Sequence, residues 1–464
     1  MNERSAIGGR TGLIRAATGM TVALLIGLAP TAAHATHARA ALITWAPTSG
    51  NSVEFTITGA WRRSAYTTAN GRCRDVTDMV APVLGSKPCS GSDTFADVGD
   101  VIVESLGGTV FDPREGATIG SPLGALLYVV TSIDPANDWL FATALDPVSL
   151  PSIDTTIAKS YPDATARTAF IQDCCRVSNN PGGNQHINNP DGNYRIETRV
   201  TPGGANRPPV STMPPIVLCP RNGVCVFQIP GADPDNDSVT FRLSTATEAS
   251  GSASGFDQPG PPDAPNAATV SSGGVFTWNT TGANLGGAGN TYYSTQVTIE
   301  DRDGGNLVKS KIAVDFLIQL VQQAGVPPVF DHPPTPACGS AITVNPGDTV
   351  SFTVQASDTD FGQTVTLNGV GLPAGATMTP TLPTTANPVS SAFAWTTDGG
   401  DAGTTQVVTF TATDSASLQA QCSVTLIVNQ CQTNADCNDG TLCTTDTCDP
   451  GNPCLLYTSD AADE

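Results

Sequence analysis

The sequence predicts an all-β protein made of several sandwich-like domains, and three observations predict it. Short alternating apolar runs dominate after residue 40, as in Val53-Glu-Phe-Thr-Ile57, Val350-Ser-Phe-Thr-Val354 and Ser423-Val-Thr-Leu-Ile-Val428, each bounded by Gly, Pro, Asn or Asp. No stretch there sustains a 3.6-residue apolar period, and 46 glycines with 36 prolines favour turns over long helices. The second half is duplicated. Pro-Pro-Val recurs at 208–210 and 327–329, Ala-Asp-Pro-Asp at 232–235 answers Ser-Asp-Thr-Asp at 357–360, and Phe276-Thr-Trp278 answers Phe393-Ala-Trp395. Thr298-Ile-Glu-Asp301 likewise matches Thr411-Ala-Thr-Asp414. The copies lie roughly 120 residues apart, the size of one β-sandwich.

Residues 1–35 read as an export signal: Arg4, Arg10 and Arg15 precede the apolar run 20–29, and Ala33-His-Ala35 offers a small-x-small cleavage site. The apolar run falls short of the roughly 20 residues a bilayer span needs, and nothing later is long and apolar enough to span as a helix. Residues 41–205 form a first all-β region, sandwich-like or jelly-roll-like, whose loops Asn179-Asn-Pro-Gly-Gly-Asn184 and Asn188-Asn-Pro-Asp-Gly-Asn193 favour positive φ. The proline-rich segments 203–216 and 325–336 read as stiff joints, because proline lacks an amide donor and fixes φ. They lead into repeat 1 (206–324) and repeat 2 (325–430), so that an extended rod is expected. Within repeat 1, the low-complexity stretch 250–269 is expected to be a mobile loop. A cysteine-rich segment at 431–453 has too few apolar residues for a core and is expected to depend on disulfides. Residues 454–464 resemble translated sequencing-adapter read-through, so the natural chain is expected to continue past 453.

The chain carries 21 basic against 42 acidic residues, a net charge of −21, with lysine only at 87, 159, 309 and 311. Such a surface excludes nucleic acid and anionic lipid as partners and attracts cations. Thirteen cysteines point to an oxidising compartment, outside the cytoplasm. Cys219 and Cys225 would close a tight hairpin, Cys338 and Cys422 would staple the ends of repeat 2, and Cys73 with Cys89 is a third candidate pair; the pairing of adjacent Cys174 and Cys175 stays open.

The Gly371-Leu-Pro-Ala-Gly-Ala-Thr-Met378 turn, Ala412-Thr-Asp414 and the strand 423–428 resemble the tandem immunoglobulin/cadherin-like repeats of bacterial surface proteins, over about 206–430. Cys431, Cys437, Cys443 and Cys448, around Asn438-Asp-Gly and Cys443-Thr-Thr-Asp-Thr-Cys448, resemble the short CTDC repeats of extracellular matrix proteins. Zinc is disfavoured there, since Cys-x2-Cys knuckles and a nearby His are missing.

Asp233, Asp235 and Asp237 alternate in one loop, a pattern that can turn hard oxygens toward one calcium ion. The cadherin-like resemblance adds an acid at the end of a late strand, which implies calcium ligation by Asp233, Asp235, Asp237, Asp301 and Asp303. In repeat 2 the weaker set is Asp358, Asp360 and Asp414, with Phe361-Gly-Gln in place of the third loop acid. The plain alternative for both loops is a solvated acidic turn.

Phe276 with Trp278, and Phe393 with Trp395, are expected in the cores, whereas Trp61-Arg-Arg63 reads as the most surface-like tryptophan. Beyond residue 40 only His186 and His332 occur, in different domains, so a Ser-His-Asp arrangement is not expected and no catalytic residue is named. The leading expectation is a non-catalytic secreted or cell-surface protein, with calcium-stabilised modules for adhesion or matrix binding. Its partner would be extracellular matrix, a surface protein or a glycan. The alternative is a carbohydrate-binding accessory region of a secreted polysaccharide-degrading enzyme whose catalytic domain is missing.

Overall fold

The structure, a computed structural model, describes residues 38–67, 73–74, 95–104, 110–112, 117–119, 126–135, 138–146, 153–179, 185–235, 237–287, 289–322, 325–431, 444–447 and 455–458. The expected leader at 1–35, Cys89, Asn236 and most of 431–464 lie outside them; within that last stretch Thr444–Thr447 pairs antiparallel with Leu455–Thr458. The described chain is all-β, with one short α-helix, and no helix of it is long and apolar enough to cross a membrane.

In the first region one sheet orders Ala38–Pro47, Ser52–Trp61, Trp139–Ala144, Leu126–Asp134, Val101–Glu104 and Cys73–Arg74, with Ile157–Ser160 also on Ser52–Trp61. Alternation is strict over residues 52–59, where Val53, Phe55 and Ile57 point inward, so the period-2 reading holds there. Trp61 corrects the surface expectation. It is 1% exposed and lies edge-on to Tyr128, because the alternating pattern carries its side chain into the same core as Ile57.

A second sheet crosses what the sequence divides into two domains. Thr291–Arg302 pairs along its length with Val308–Val321, whose other edge takes Ile216–Pro220 in parallel and then Asn193–Val200 of the first region, at Thr198↔Ile312 and Arg199↔Lys311. Arg167–Cys174 continues the sheet beyond Asn193–Val200. All but the last residue of Thr291–Arg302 is buried, including the polar face that would meet water in an isolated sandwich. The first region covers that face: Asn188 and Asn189 reach Ser294, and Gln296 donates to the Arg195 carbonyl.

Stretch 250–269 is packed instead of mobile. Thr245 and Glu248 form a reciprocal capping box on helix Ala246–Ser250, and Gly251, at φ 79°, ends it left-handed. Phe256, Ala264 and Ala268 are buried beyond it. The Thr-x-x-Glu signature was present in the sequence; low complexity around it masked the signal.

Repeat 2 pairs Thr349–Ser357 with Val389–Thr396 in one sheet and centres the facing sheet on Thr405–Asp414 between Gln419–Val428 and Val365–Val370. The duplication extends to the cores. Phe227 stacks on Phe276 at 4.8 Å with Phe316 edge-on, and Phe352 stacks on Phe393 at 4.7 Å with Phe410 edge-on. Trp278 and Trp395 are fully buried and donate to the carbonyls of Asn266 and Ala374.

The segment 203–216 is docked, not an open joint. Val210 bridges Ala232, Ser211 donates to the Pro230 carbonyl, and Met213 enters the repeat 1 core. It also holds repeat 2, through Thr212 to Thr409 and Arg207 to the Gly403 carbonyl, while Asn368 reaches Asp134 of the first region. The expectation of an open joint therefore fails at 203–216. Prolines withhold amide donors but leave carbonyls and side chains free to bond, and these fold the segment back.

Candidate metal centre

In each repeat the acidic loop leads into a strand beside the late strand, which brings their carboxylates together. In repeat 1, Ser238–Leu243 pairs with Thr291–Arg302, so the loop before the first and the end of the second meet. Carboxylate oxygens of Asp233, Asp237 and Asp301 lie mutually within 4.8 Å, as do those of Asp358, Asp360 and Asp414.

Three of the five residues expected in repeat 1 converge and two do not. Asp235 turns to Arg207, accepting from its backbone amide at 2.5 Å and its guanidinium at 3.0 Å. Asp303 is exposed and accepts from the amides of Gly305 and Leu307, so it builds its own turn. Both side chains satisfy nearby amides more readily than they approach a cluster of like charge.

The two clusters share a local design. Asp233 Oδ1 accepts the amides of Asp235 and Asp237 at 2.8 and 3.0 Å, while its Oδ2 is shielded from solvent with no hydrogen-bond partner. Asp358 Oδ1 likewise accepts the Asp360 amide at 2.7 Å and leaves Oδ2 unpartnered. Asp414 accepts the Leu418 amide on Oδ1 and also leaves Oδ2 bare. A shielded carboxylate oxygen without a donor is costly. It is also what a hard cation would bind, so both clusters fit calcium's preference for oxygen ligands.

The clusters differ in what offsets their charge. In repeat 1, Lys309 Nζ donates to Asp237. Burial would lower the Lys309 ammonium, but Asp237, with the charges of Asp301 and Asp233, holds it above its ordinary value. Asp301 accepts from the Ser310 amide and from Asn206 Nδ2, and Asn206 Oδ1 is itself shielded and unpartnered. In repeat 2 no ion pair to Asp358, Asp360 or Asp414 occurs among the described residues; Asp360 accepts the backbone amide of Val326 in the linker. Burial pushes the Asp414 carboxyl up, with further contributions from Asp358 and Asp360.

Sequence reasoning missed Asn206 and Lys309. Asn206 stands two residues before the first Pro-Pro-Val, a repeat that marked its position without revealing its role. Lys309 is one of four lysines and faces the cluster only because Val308–Val321 pairs back on Thr291–Arg302.

Burial, more than the charges of Asp301 and Asp235, pushes the Asp233 carboxyl up to about 7, against the two backbone amides that pull it down. In the calcium-free protein the folded chain holds this proton toward neutrality, whereas an unfolded Asp loses it near 3.8. Its contribution to stability is therefore present in full at low pH and is lost as pH rises to about 7. Asp233→Asn is expected to gain melting temperature relative to the parent as pH rises from about 5 to about 8, in calcium-free buffer. A difference between the two proteins that is constant over this range would mean Asp233 ionises normally.

Residues 39–203 match a family model described as Integrin beta-like protein A-E, N-terminal. Over 393 residues, 74% of this chain, the sequence is 26% identical to Integrin beta-like protein A of Dictyostelium discoideum, and over 397 residues, 72% of the chain, it is 25% identical to Integrin beta-like protein C of the same organism. The chain spans only 17% and 18% of the length of these relatives. The family match thus falls on the first region, which the sequence left without a resemblance, and not on the repeats. Among solved structures, a chimeric titin Z1Z2 tandem overlaps 47% of this chain at 12% identity and TM-score 0.18. Human CDH23 EC21-23 overlaps 46% at 19% identity and TM-score 0.17. Overlaps of so low a TM-score add nothing to the fold described from the sheets.

Both named disulfides of the repeats form, Cys219–Cys225 and Cys338–Cys422; Cys73, Cys175 and Cys431 are also disulfide-bonded. The five tryptophans are all buried, so none offers a sugar-stacking face. His186 does meet a serine, with Nε2 3.1 Å from Ser294 Oγ and Nδ1 against the Val177 carbonyl. Burial first, then Arg176, holds this imidazole down to about 4, against the Val177 bond. Both side chains are 0% exposed, so the pair is a neutral core contact that no substrate reaches in this fold.

Proposed function

We propose that this chain is a non-catalytic, secreted or surface-attached protein whose first region (41–205) and two immunoglobulin/cadherin-like repeats (206–324 and 325–430) serve adhesion or matrix binding and are stabilised by calcium. The carrying observation is the cluster of Asp358, Asp360 and Asp414, in which two shielded carboxylate oxygens have no donor. Similarity to integrin beta-like proteins over about three quarters of the chain supports an adhesive role. Repeat 2 is the stronger calcium site in this reading, because Lys309 already neutralises part of the repeat 1 cluster. When bound, calcium supplies positive charge to the cluster. The chain's own part is to hold Asp358 and Asp414 by backbone amides and to tie Asp360 to the linker through Val326.

The test is attachment of the purified full chain to surfaces coated with matrix glycoproteins, in calcium and in chelator. Attachment in calcium that falls several-fold in chelator, and equally in Asp358→Ala/Asp414→Ala, is expected. Attachment indifferent to both would remove calcium from the account.

A further inference from the structure

The Cys338–Cys422 disulfide is placed unlike its neighbour in repeat 1. Cys219 and Cys225 are both buried, whereas Cys338 is exposed and Cys422 is 1% exposed. His332, also exposed, puts Nε2 3.4 Å from Cys338 Sγ, and a nitrogen of its ring lies within 4.8 Å of Cys422 Sγ. The ring's other nitrogen, Nδ1, lies 2.9 Å from the Thr335 carbonyl. A carbonyl only accepts, so Nδ1 carries the proton and, in the neutral ring, the bare lone pair of Nε2 faces the sulfurs. The nearby Asp331 carboxylate is committed to Gln355 and Ser357.

We propose that Cys338–Cys422 is a thiol-exchange site for a small thiol, with His332 as the proton carrier. The incoming thiol gives its proton to His332 Nε2 and its sulfur attacks the accessible Cys338 Sγ. The S–S bond to Cys422 breaks as the mixed disulfide on Cys338 forms, and Cys422 leaves as thiolate and takes the proton back from Nε2. One disulfide and one thiol enter, and one of each emerges, with no net oxidation. The product frees the end of repeat 2 that the bond staples, since Cys338 precedes the strand Ser340–Val344 and Cys422 lies in Gln419–Val428.

Glutathione is the probe, applied to the oxidised full chain, with acid quench, alkylation and peptide mass mapping. The adduct is expected on Cys338, and His332→Ala and His332→Gln should each slow its formation by at least about tenfold, a modest share of what a positioned acid or base supplies. Cys219–Cys225 in the same molecule reports the fold: its exchange stays slow in every variant. Equal rates in parent and both His332 variants overturn the proton role, and an adduct forming no faster at Cys338 than at Cys219 or Cys225 overturns the site.

Discussion

Asp315→Ala is expected to destabilise the protein by about 3–5 kcal/mol, the cost of leaving a buried cation unpaired. Arg176 of the first region meets Asp315 of repeat 1 through two parallel hydrogen bonds of 2.8 and 2.7 Å, with both side chains nearly inaccessible. Tyr194 and Phe256 flank the guanidinium, its Nη2 also donates to the Ala249 carbonyl, and Gln296 donates to Asp315 Oδ2, the oxygen that Nη2 binds. No solvent replaces the lost charge. Because the second sheet runs from Arg167–Cys174 into Thr291–Arg302, both regions should lose their urea midpoint together. Arg176→Met/Asp315→Leu should recover much of the loss, since a buried pair rarely beats a packed apolar one. A loss below about 1 kcal/mol for Asp315→Ala would show that water reaches Arg176 and that the two regions are separable.

Calcium should raise stability by a comparable amount. A ligand at 100 to 1,000 times its Kd stabilises by about 2.7–4.1 kcal/mol, so a clear rise in the melting temperature of repeat 2 is expected in calcium over chelator. Asp414→Ala should abolish the rise, while Asp303→Ala, which only opens a surface turn, should leave it intact. Lys309→Met should enlarge the calcium response of repeat 1 by freeing Asp237. An equal calcium response in the parent and Asp414→Ala would place any bound ion elsewhere.

The strands were legible because their information is local. Val53, Phe55 and Ile57 alternate within one strand, and Phe276 and Phe393, which the duplication matched, occupy equivalent core positions opposite Phe227 and Phe352. The acidic loops were legible for the same reason, as runs of like charge within a few residues. What the sequence concealed depends on pairing between distant segments. Lys309 faces Asp237 across 72 positions, and Arg176 reaches Asp315 across 139. Polarity gave no sign of the buried interface in which Asn188 bonds Ser294 and Gln296 donates to the Arg195 carbonyl. Proline content suggested spacing, but Val210, Ser211 and Thr212 use the groups that proline leaves free.

The most direct measurement is a crystal structure grown in calcium, with anomalous scattering collected to locate the ion. The account predicts a peak bonded to Asp358, Asp360 and Asp414 at about 2.3–2.6 Å, the ordinary calcium–oxygen distance. Well-ordered density in which those carboxylates hold only water, with calcium present in excess, would contradict it.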